Sequence, residues 1–198
     1  MRPFAFSRAD SLETAVEYRQ AEPNSAFVAG GTTLLDLTKL DVMRPSRVID
    51  INALPLEGIE RLGDDRLRIG ALVTNAELAR HPAVREDYPL LARAILAGAS
   101  TQVRNMATTA GNIMQRTRCP YFRDVAAACN KRQPGSGCDA IGGINRMHAV
   151  LGGSEACVAV HPSDMCVALA AIGTTLTLHG PQGEREIDFA DFHRLPGT

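Results

Sequence analysis

The stretch Val28-Ala29-Gly30-Gly31-Thr32-Thr33-Leu34 decides the fold of this chain. It lies between a short apolar run at residues 26–29 and an amphipathic segment at residues 33–40, which predicts a strand, a glycine turn and a helix start. Glycines adopt positive φ readily and let a ligand approach the backbone, and the free N–H groups of such a turn attract anions, above all phosphate. The alternative interpretation is a plain strand-to-helix turn with Thr32 as the N-cap.

The elements on either side of this turn predict a small parallel β-α-β unit. Asp10-Ser11-Leu12-Glu13 fits a capping box with Asp10 as the N-cap of a first helix. Residues 26–29 are the first predicted strand and residues 47–51 the second, and their order favours parallel strands with a right-handed crossover. The composition changes near residue 55, which predicts a small βαβ subdomain at residues 1–55 and a larger α+β subdomain at residues 56–198.

The larger predicted subdomain alternates hairpins, helices and loops. Residues 101–112 show little periodicity and are rich in small and hydroxyl side chains, which is typical of a loop that binds a ligand. The predicted features are a hairpin at 59–69 around Gly63-Asp64-Asp65, a capping box at 74–77, a helix at 90–96 closed by Gly98, the loop at 101–112, a cysteine loop at 114–157, a helix from Ser163-Asp164 to Ile172, and a hairpin at 174–188.

The composition narrows the possible functions. The 198 residues are 45% hydrophobic with a net charge of −1, so a sizeable core is expected and no electrostatic footprint for nucleic acid or an anionic membrane is present. No run of 18 apolar residues is long enough to span a bilayer. Residues 1–7 have no apolar signal region, so we expect no export signal, and residues 191–198 read as a short helix entering a loop that should continue.

All five cysteines lie in the second half of the chain. Four of them, in a glycine-rich segment, are spaced C-x9-C-x8-C-x18-C, and such a loop needs a staple because it has little apolar content. A [4Fe–4S] cluster bound by the four thiolates would hold the loop together. A structural zinc site is the rival, although the C-x2-4-C pairs usual in such sites are missing. Unrelated free thiols are the third possibility. The four are Cys119, Cys129, Cys138 and Cys157.

Three further side chains near this loop are interpreted as structural. Cys166 falls at helical spacing among apolar residues and is expected to be a buried core thiol, with a reserve role as a ligand in place of Cys157. His148 and His161 are expected to be hydrogen-bonded structural residues rather than metal ligands.

Three motifs together resemble a known family. They are Ala29-Gly30-Gly31-Thr32-Thr33-Leu34, Val103-Arg104-Asn105-Met106-Ala107-Thr108-Thr109-Ala110-Gly111-Asn112-Ile113 and Pro162-Ser163-Asp164-Met165. In this order they resemble the FAD-binding motifs of the molybdenum hydroxylase flavoprotein subunits, a family that includes the FAD domain of xanthine dehydrogenase and the medium subunit of carbon monoxide dehydrogenase. The resemblance implies an α+β, two-subdomain FAD-binding domain of the molybdopterin dehydrogenase (PCMH) type. The family's further C-terminal domain, which helps to cover the flavin ring, is expected to be absent from this chain.

The resemblance also implies which residues bind FAD. The first motif would bind the pyrophosphate through backbone N–H groups and threonine hydroxyls; its residues are Val28, Ala29, Gly30, Gly31, Thr32, Thr33 and Leu34. Thr108, Gly111 and Asn112 would form a second wall along the phosphates and the ribityl chain. Asp164 would accept hydrogen bonds from FAD, or is simply an acid at a helix N-terminus. Arg104 is interpreted as a structural residue that bonds loop carbonyls, and no catalytic residue is predicted.

The insertion at residues 114–160 resembles the [4Fe–4S]-binding segment of flavoprotein subunits of the periplasmic aldehyde oxidoreductase and 4-hydroxybenzoyl-CoA reductase type, through Arg118-Cys119-Pro120-Tyr121-Phe122-Arg123-Asp124 and Asn130-Lys131-Arg132. This implies that the four spaced cysteines bind a [4Fe–4S] cluster. It further implies an electron-transfer flavoprotein subunit in a heterotrimer-like complex. A large subunit with a molybdenum cofactor would oxidise an aldehyde, and a small [2Fe–2S] subunit would pass electrons to FAD and an external acceptor.

Location and two alternative functions complete the expectations. A partner's export signal would carry the complex to the periplasm, and the cytoplasm is the alternative. One alternative function is a metal-stapled subunit-interaction module, with zinc or an iron–sulfur cluster and without flavin activity. The other is an oxidase with covalently attached flavin, which is disfavoured because neither glycine loop contains a histidine or a cysteine.

Overall fold

Three parallel strands and two helices form the N-terminal part of the computed structural model, which describes residues 1–63 and 65–194. Val48 and Ile49 are buried because their strand lies in the middle of the sheet. The predicted strand, glycine turn, helix and second strand are all present, and the strands are parallel. The elements in chain order are β1 (Ala5–Arg8), α1 (Leu12–Ala21), β2 (Ser25–Val28), α2 (Leu34–Lys39) and β3 (Arg47–Asp50), and the sheet order is β1-β3-β2.

The structure differs from the sequence-based interpretation at three places in this region. The sequence does not predict β1, a four-residue strand that is mostly exposed and therefore carries no apolar alternation. The N-cap of α1 is Ser11 rather than Asp10, because the Ser11 hydroxyl accepts a hydrogen bond from the backbone N–H of Thr14 at 3.0 Å. The N-cap of α2 is Thr33 rather than Thr32, and it makes no side-chain capping bond. The N–H groups of this turn therefore lack a side-chain cap from Thr33.

The rest of the described chain contains two antiparallel hairpins and eight helices. The predicted capping box of Thr74 and Glu77 is confirmed, and so is the helix that ends at Gly98. Both predicted hairpins are also present; Asp64, in the turn of the first one, lies outside the described residues. In order, the elements are β4 (Ile59–Arg61), β5 (Leu67–Ile69), α3 (Asn75–Arg80), α4 (Pro82–Asp87), α5 (Pro89–Ala97), α6 (Thr101–Met106), α7 (Thr109–Ile113), α8 (Pro120–Arg123), α9 (Asp164–Ala171), β6 (Thr175–Gly180), β7 (Gly183–Asp188) and α10 (Phe189–Phe192).

The loop predicted at residues 101–112 is instead two short helices, α6 and α7. Each begins at a hydroxyl residue that caps it: the Ser100 side chain accepts from the N–H of Val103 at 3.3 Å, and the Thr108 side chain accepts from the N–H of Gly111 at 3.2 Å. Capping and tertiary bonds, rather than an apolar stripe, stabilise these helices, so their sequence lacks helical periodicity.

Three clusters of buried apolar side chains form the interior of the part of the chain that the structure describes. The largest packs α3, α4 and α5 against α7 and α9, with Leu78, Leu91 and Met165 almost fully buried. A smaller cluster contains both Leu54 and Leu72, so residues from either side of position 55 share one core, and the predicted boundary there stays a prediction. A third cluster joins α2 to the cysteine loop and is described below.

The segment at residues 114–160 contains α8 and otherwise only turns and isolated bridges, which agrees with its low apolar content. One bridge pairs Cys129 with Cys138, and another pairs Ser154 with Cys157. Across the described ranges, every helix is too short or too polar to cross a membrane.

Candidate cofactor site

The glycine turn leaves four backbone donors free. Gly31 has φ of +70°, so the chain turns sharply between β2 and α2, and the Leu35 N–H donates to the Gly31 carbonyl at 3.0 Å. Among the described residues, no acceptor is bonded to the backbone N–H groups of Gly30, Gly31, Thr32 and Thr33. Consecutive free N–H groups at a turn that includes a left-handed residue form a nest that suits an anion.

A buried acid braces the back of this turn. The Asn52 side chain donates to the Ala29 carbonyl at 3.3 Å and to the Asp50 carboxylate at 2.7 Å. The Asn52 backbone N–H is the largest cause of the lowered pKa of Asp50, and the Arg8 guanidinium at 3.0 Å adds to it. Asp50 therefore stays ionised and keeps Asn52 in place behind the turn.

Gly30 brings the first motif into direct contact with the second. A Cβ atom at this position would lie 1.6 Å from the carbonyl oxygen of Met106, at the end of α6. Only glycine fits this close approach of two backbones. The turn after β2 and the start of the second motif therefore form adjacent walls of one concavity.

The second motif is held from behind by the segment before α3. The Thr109 N–H and hydroxyl both donate to the Val73 carbonyl, at 2.8 and 2.9 Å, and the Ala110 N–H donates to the Ala71 carbonyl at 3.0 Å. Thr108 is buried, and its hydroxyl accepts from Gly111, so this threonine serves first as a helix cap. Beyond this cap, Gly111 is exposed and Asn112 is half-buried.

The third motif joins the second through Asn112. The Ser163 hydroxyl donates to Asn112 Oδ1 at 2.6 Å, and Gln115 donates to the same oxygen at 2.9 Å. Ser163 also caps α9 by accepting from the N–H of Cys166 at 3.1 Å. Asp164 is exposed in the first turn of α9, and its Oδ2 would lie 3.6 Å from a Cβ at Gly98. The structure therefore links all three motifs that the sequence singles out.

Arg104 has the structural role predicted for it. Its guanidinium donates to the carbonyls of Gly98 and Ala99, both at 2.8 Å, and to the hydroxyl of Thr101 at 3.2 Å. Ala99 has φ of 55°, an unusual conformation for a residue with a side chain, and Arg104 holds the loop in it.

Three of the four spaced cysteines approach one another. Cys119 is the N-cap of α8, and burial raises the pKa of its thiol, with a smaller contribution in the same direction from Cys129 and Cys138. Backbone N–H groups of Phe122 and Tyr121 oppose this rise by donating to the sulfur. Of the described thiols, Cys157 is not among the electrostatic neighbours of Cys119, although it is buried in the same segment.

Two side chains organise the loop around these thiols. Asn130 donates to the Ala156 carbonyl at 2.9 Å and accepts from the Gly137 N–H at 2.8 Å, so it links the segments that carry Cys138 and Cys157. Arg132 donates to the carbonyls of Tyr121 and Phe122, both at 2.9 Å, and also to that of Ala127. Polar bonds of this kind replace the apolar core that the segment lacks.

Taken together, the four thiols are farther apart than the sulfur ligands of a bound zinc ion. No three of the four sulfurs lie within 4.8 Å of one another, since the one such group of ligand atoms within the described residues lies elsewhere. A zinc ion with Zn–S bonds of about 2.3 Å would require sulfurs about 3.8 Å apart. The four sulfurs are therefore not gathered as a single bound zinc ion would hold them.

His148 contacts the first of these thiols. Its Nε2 lies 3.1 Å from Cys119 Sγ, and its Nδ1 is buried without a partner among the described residues. The prediction that His148 is a hydrogen-bonded residue is therefore confirmed, and its partner is a predicted metal ligand.

The cysteine loop packs against α2, the helix that follows the glycine turn. Phe122 and Cys129 share the third apolar cluster with Leu37. Arg123 forms an ion pair with Asp36 beside this contact. The loop therefore rests on the element that begins at the first motif.

The sequence does not predict a cluster of Cys166, His161 and His193. One ligand atom of each lies within 4.8 Å of the other two, and Cys166 is buried as predicted. His161 and His193 are far apart in the sequence and belong to no spaced motif, so only the folded chain reveals their proximity.

Comparison with known proteins agrees with these motifs. Residues 2–198 match the sequence profile of the family described as FAD binding domain in molybdopterin dehydrogenase. The chain is 52% identical over 198 residues to the aldehyde oxidoreductase FAD-binding subunit PaoB of Escherichia coli (strain K12), covering 100% of this chain and 62% of that protein. It is 26% identical over 195 residues to the glyceraldehyde dehydrogenase medium chain of Sulfolobus acidocaldarius, covering 98% of this chain and 54% of that one. The chain therefore spans between 54% and 62% of the length of these two relatives.

Solved structures share the fold. A carbon monoxide dehydrogenase from Hydrogenophaga pseudoflava, which lacks the Mo-pyranopterin moiety of its cofactor, superposes with a TM-score of 0.69 and 27% identity over 97% of this chain and 53% of that one. The reconstituted CO dehydrogenase from Oligotropha carboxidovorans gives a TM-score of 0.70 at 21% identity, over 99% of this chain and 56% of that one. The predicted α+β fold of this type is confirmed.

Proposed function

The chain belongs to the FAD-binding domain family of the molybdopterin dehydrogenases, and from this premise we propose that it is the FAD-binding electron-transfer part of a molybdenum-dependent aldehyde oxidoreductase. The observation that carries the proposal is the set of free N–H groups at Gly30, Gly31, Thr32 and Thr33, in direct contact with the second motif. The 52% identity to a protein named as an aldehyde oxidoreductase FAD-binding subunit supports the substrate class.

The first motif would bind the FAD pyrophosphate. Its four free N–H groups present a positive potential to an anion, and the side chains of Thr32 and Thr33 add hydroxyl donors beside them. Because Gly30 has no side chain, the Met106 backbone can close one side of this concavity. Val28, Ala29 and Leu34 position the turn between β2 and α2.

The second and third motifs would bind the remainder of the cofactor. Asn112 Oδ1 already accepts bonds from Ser163 and Gln115, so its Nδ2 group would be the part of the side chain that donates to a phosphate or ribityl oxygen. Gly111 lets the cofactor approach the start of α7, which Thr108 caps. The exposed carboxylate of Asp164 would accept hydrogen bonds from FAD hydroxyl or amide groups.

Bound FAD would supply the ability to accept and release electrons, and the protein would supply binding, orientation and electrostatics. The residues of the site are suited to holding an anionic cofactor, and we assign no acid–base role to any of them. Electrons would come from [2Fe–2S] centres of a small partner subunit, and an external acceptor would take them away. A large partner subunit with a molybdenum cofactor would oxidise the aldehyde.

Cys119, Cys129, Cys138 and Cys157 would bind a [4Fe–4S] cluster. Cluster iron prefers thiolate ligands. Cys129 and Cys138 face each other across a β-bridge, both act electrostatically on Cys119, and Asn130 links the segments that carry Cys138 and Cys157. The spacing C-x9-C-x8-C-x18-C lacks the close cysteine pairs that are usual in structural zinc sites, which favours the cluster over the zinc alternative. Location in the periplasm, with a partner's export signal, is the expectation that accompanies this assignment, and the cytoplasm is its alternative.

An anaerobic absorption spectrum with iron, zinc and flavin quantified on one sample tests the proposal. We expect one FAD and about four irons per chain, as one [4Fe–4S] cluster requires. Cys138→Ser should lose the iron, whereas Cys166→Ala, which changes the cysteine outside the proposed ligand set, should keep it. A protein that takes up zinc but no flavin would contradict the proposal and favour a metal-stapled interaction module.

A further inference from the structure

We propose that Cys166, His161 and His193 form a separate site for one divalent transition-metal ion of the zinc class. His161 lies in the loop before α9, Cys166 lies in α9, and His193 lies in the segment after α10. One ligand atom of each lies within 4.8 Å of the other two. None of these side chains is needed by the flavin cradle or by the four-cysteine loop, so the site requires neither cofactor.

The distance between the first two ligands suits a metal. Cys166 Sγ lies 3.3 Å from His161 Nε2. In a tetrahedral zinc site with bonds of about 2.3 Å to sulfur and about 2.0 Å to nitrogen, two such ligands lie about 3.5 Å apart. The pair therefore has nearly the separation that a shared ion imposes.

His193 completes the third side and is already oriented. Its Nε2 lies 2.9 Å from the Ile113 carbonyl, to which it donates, so Nδ1 carries the lone pair. A metal-binding histidine typically donates its other ring N–H to a carbonyl or carboxylate in this way. The His161 and His193 rings have centroids 4.4 Å apart, and the rings of Phe189 and Phe192 pack edge-on against His193 at 5.5 and 5.0 Å.

The protonation states suit coordination. Partial burial of the ring is the main cause that lowers the pKa of His161 to about 4, so its imidazole is neutral at pH 7 and can bind a metal. Burial raises the pKa of the Cys166 thiol, so the thiol proton must leave for solvent as the metal–sulfur bond forms.

The ligand set indicates which ion is favoured. One thiolate and two imidazoles suit zinc or a similar borderline ion rather than magnesium or calcium, which prefer oxygen. His161 and His193 are accessible to solvent, so water can occupy a fourth position. A bound ion would connect residues 161, 166 and 193, and would thereby hold the Ser163-Asp164 motif that lies between the first two.

Equilibrium dialysis of the cofactor-loaded protein against Zn²⁺, followed by metal analysis, tests the site. We compare the wild type with Cys166→Ala and His193→Gln, and with His179→Gln as the matched control, because His179 is a solvent-accessible histidine on β6 that pairs with Glu184. Iron, flavin and melting temperature are measured on every sample.

The wild type and the control should each bind one zinc ion. Each of the two site variants should bind zinc at least 100-fold more weakly, because losing a residue that merely orients a metal ligand can already weaken metal binding by about 100-fold. Zinc X-ray absorption of the wild type should contain one sulfur neighbour at about 2.3 Å. Zinc held by the four-cysteine loop would survive Cys166→Ala, so the two sites are distinguishable. No zinc uptake, or uptake that both folded site variants retain, would overturn the proposal.

Discussion

Gly30 is the residue on which contact between the two glycine motifs depends. Replacing it by alanine places a methyl group 1.6 Å from the Met106 carbonyl oxygen, so one of two backbones must move. We expect Gly30→Ala to destabilise the protein by about 1–3 kcal/mol, as overpacking does, and to weaken FAD binding at least tenfold. Denaturant unfolding and flavin titration measure both effects.

The matched control for this change is Gly63→Ala, because a Cβ at Gly63 has no neighbour within 4 Å among the described residues. It should leave the flavin dissociation constant unchanged. Equal FAD binding by both variants would mean that the close approach of the two motifs does not shape the cradle.

Arg104 stabilises a loop rather than a ligand. It donates to the carbonyls of Gly98 and Ala99, and Ala99 has a positive φ that the loop must retain. Arg104→Met should lower the free energy of unfolding by about 1–3 kcal/mol, because hydrogen bonds from a charged donor are lost. Arg93→Met is the control, since Arg93 is exposed on α5 and has no bonded partner in the described ranges. A similar loss in both variants would contradict this role.

At the scale of elements, the capping box of α3 makes stability depend on pH. Hydrogen bonds from the hydroxyl and then the N–H of Thr74 lower the pKa of Glu77. Because the pKa of Glu77 is lower in the folded than in the unfolded protein, its carboxylate stabilises the fold at pH values above the unfolded pKa of about 4.3. This stabilisation is lost as the pH falls through the pKa of the folded state. The Glu77→Gln variant lacks this pH-dependent stabilisation. Its free energy of unfolding should therefore be lower than that of the wild type at neutral pH, by under about 1 kcal/mol, and the difference should narrow below about pH 4.

Chemical denaturation at several pH values measures this gap, with Glu57→Gln as the exposed control. Glu57 is exposed and has no bonded partner among the described residues, so its substitution should leave the pH dependence unchanged. A gap for Glu77→Gln that stays constant from neutral to acidic pH would assign the capping effect to Thr74 alone.

Sequence alone predicts elements well where local chemistry decides them. The turn at Gly30-Gly31, the box at Thr74 and the cap at Ser163 each have a local physical cause, and each is present. The helices α6 and α7 escape prediction because bonds to distant carbonyls, such as that of Val73, hold their residues. Proximity of His193 to Cys166 is likewise a property of packing, to which no spacing in the sequence points.

At the scale of the whole molecule, α2 connects the two candidate cofactor sites. Its first residue follows the glycine turn, and its Leu37 packs with Phe122 and Cys129 of the cysteine loop. The ion pair of Asp36 with Arg123 adds a second contact between the same two segments. An ordered cysteine loop therefore supports α2, the helix that directly follows the glycine turn of the candidate FAD site.

This contact predicts that the two cofactors stabilise each other's binding. Cys138→Ser, which we expect to lose iron, should also bind FAD at least about fivefold more weakly, because the loop no longer fixes Phe122 against Leu37. Linkage is reciprocal for binding free energies, so removal of FAD from the wild type should increase the fraction of iron that a chelator removes at equilibrium. His179→Gln is the control, since it changes a solvent-accessible histidine on β6 that belongs to neither candidate cofactor site. If Cys138→Ser loses its iron and binds FAD as tightly as the control, α2 does not couple the sites and the cluster is an independent unit on a shared scaffold.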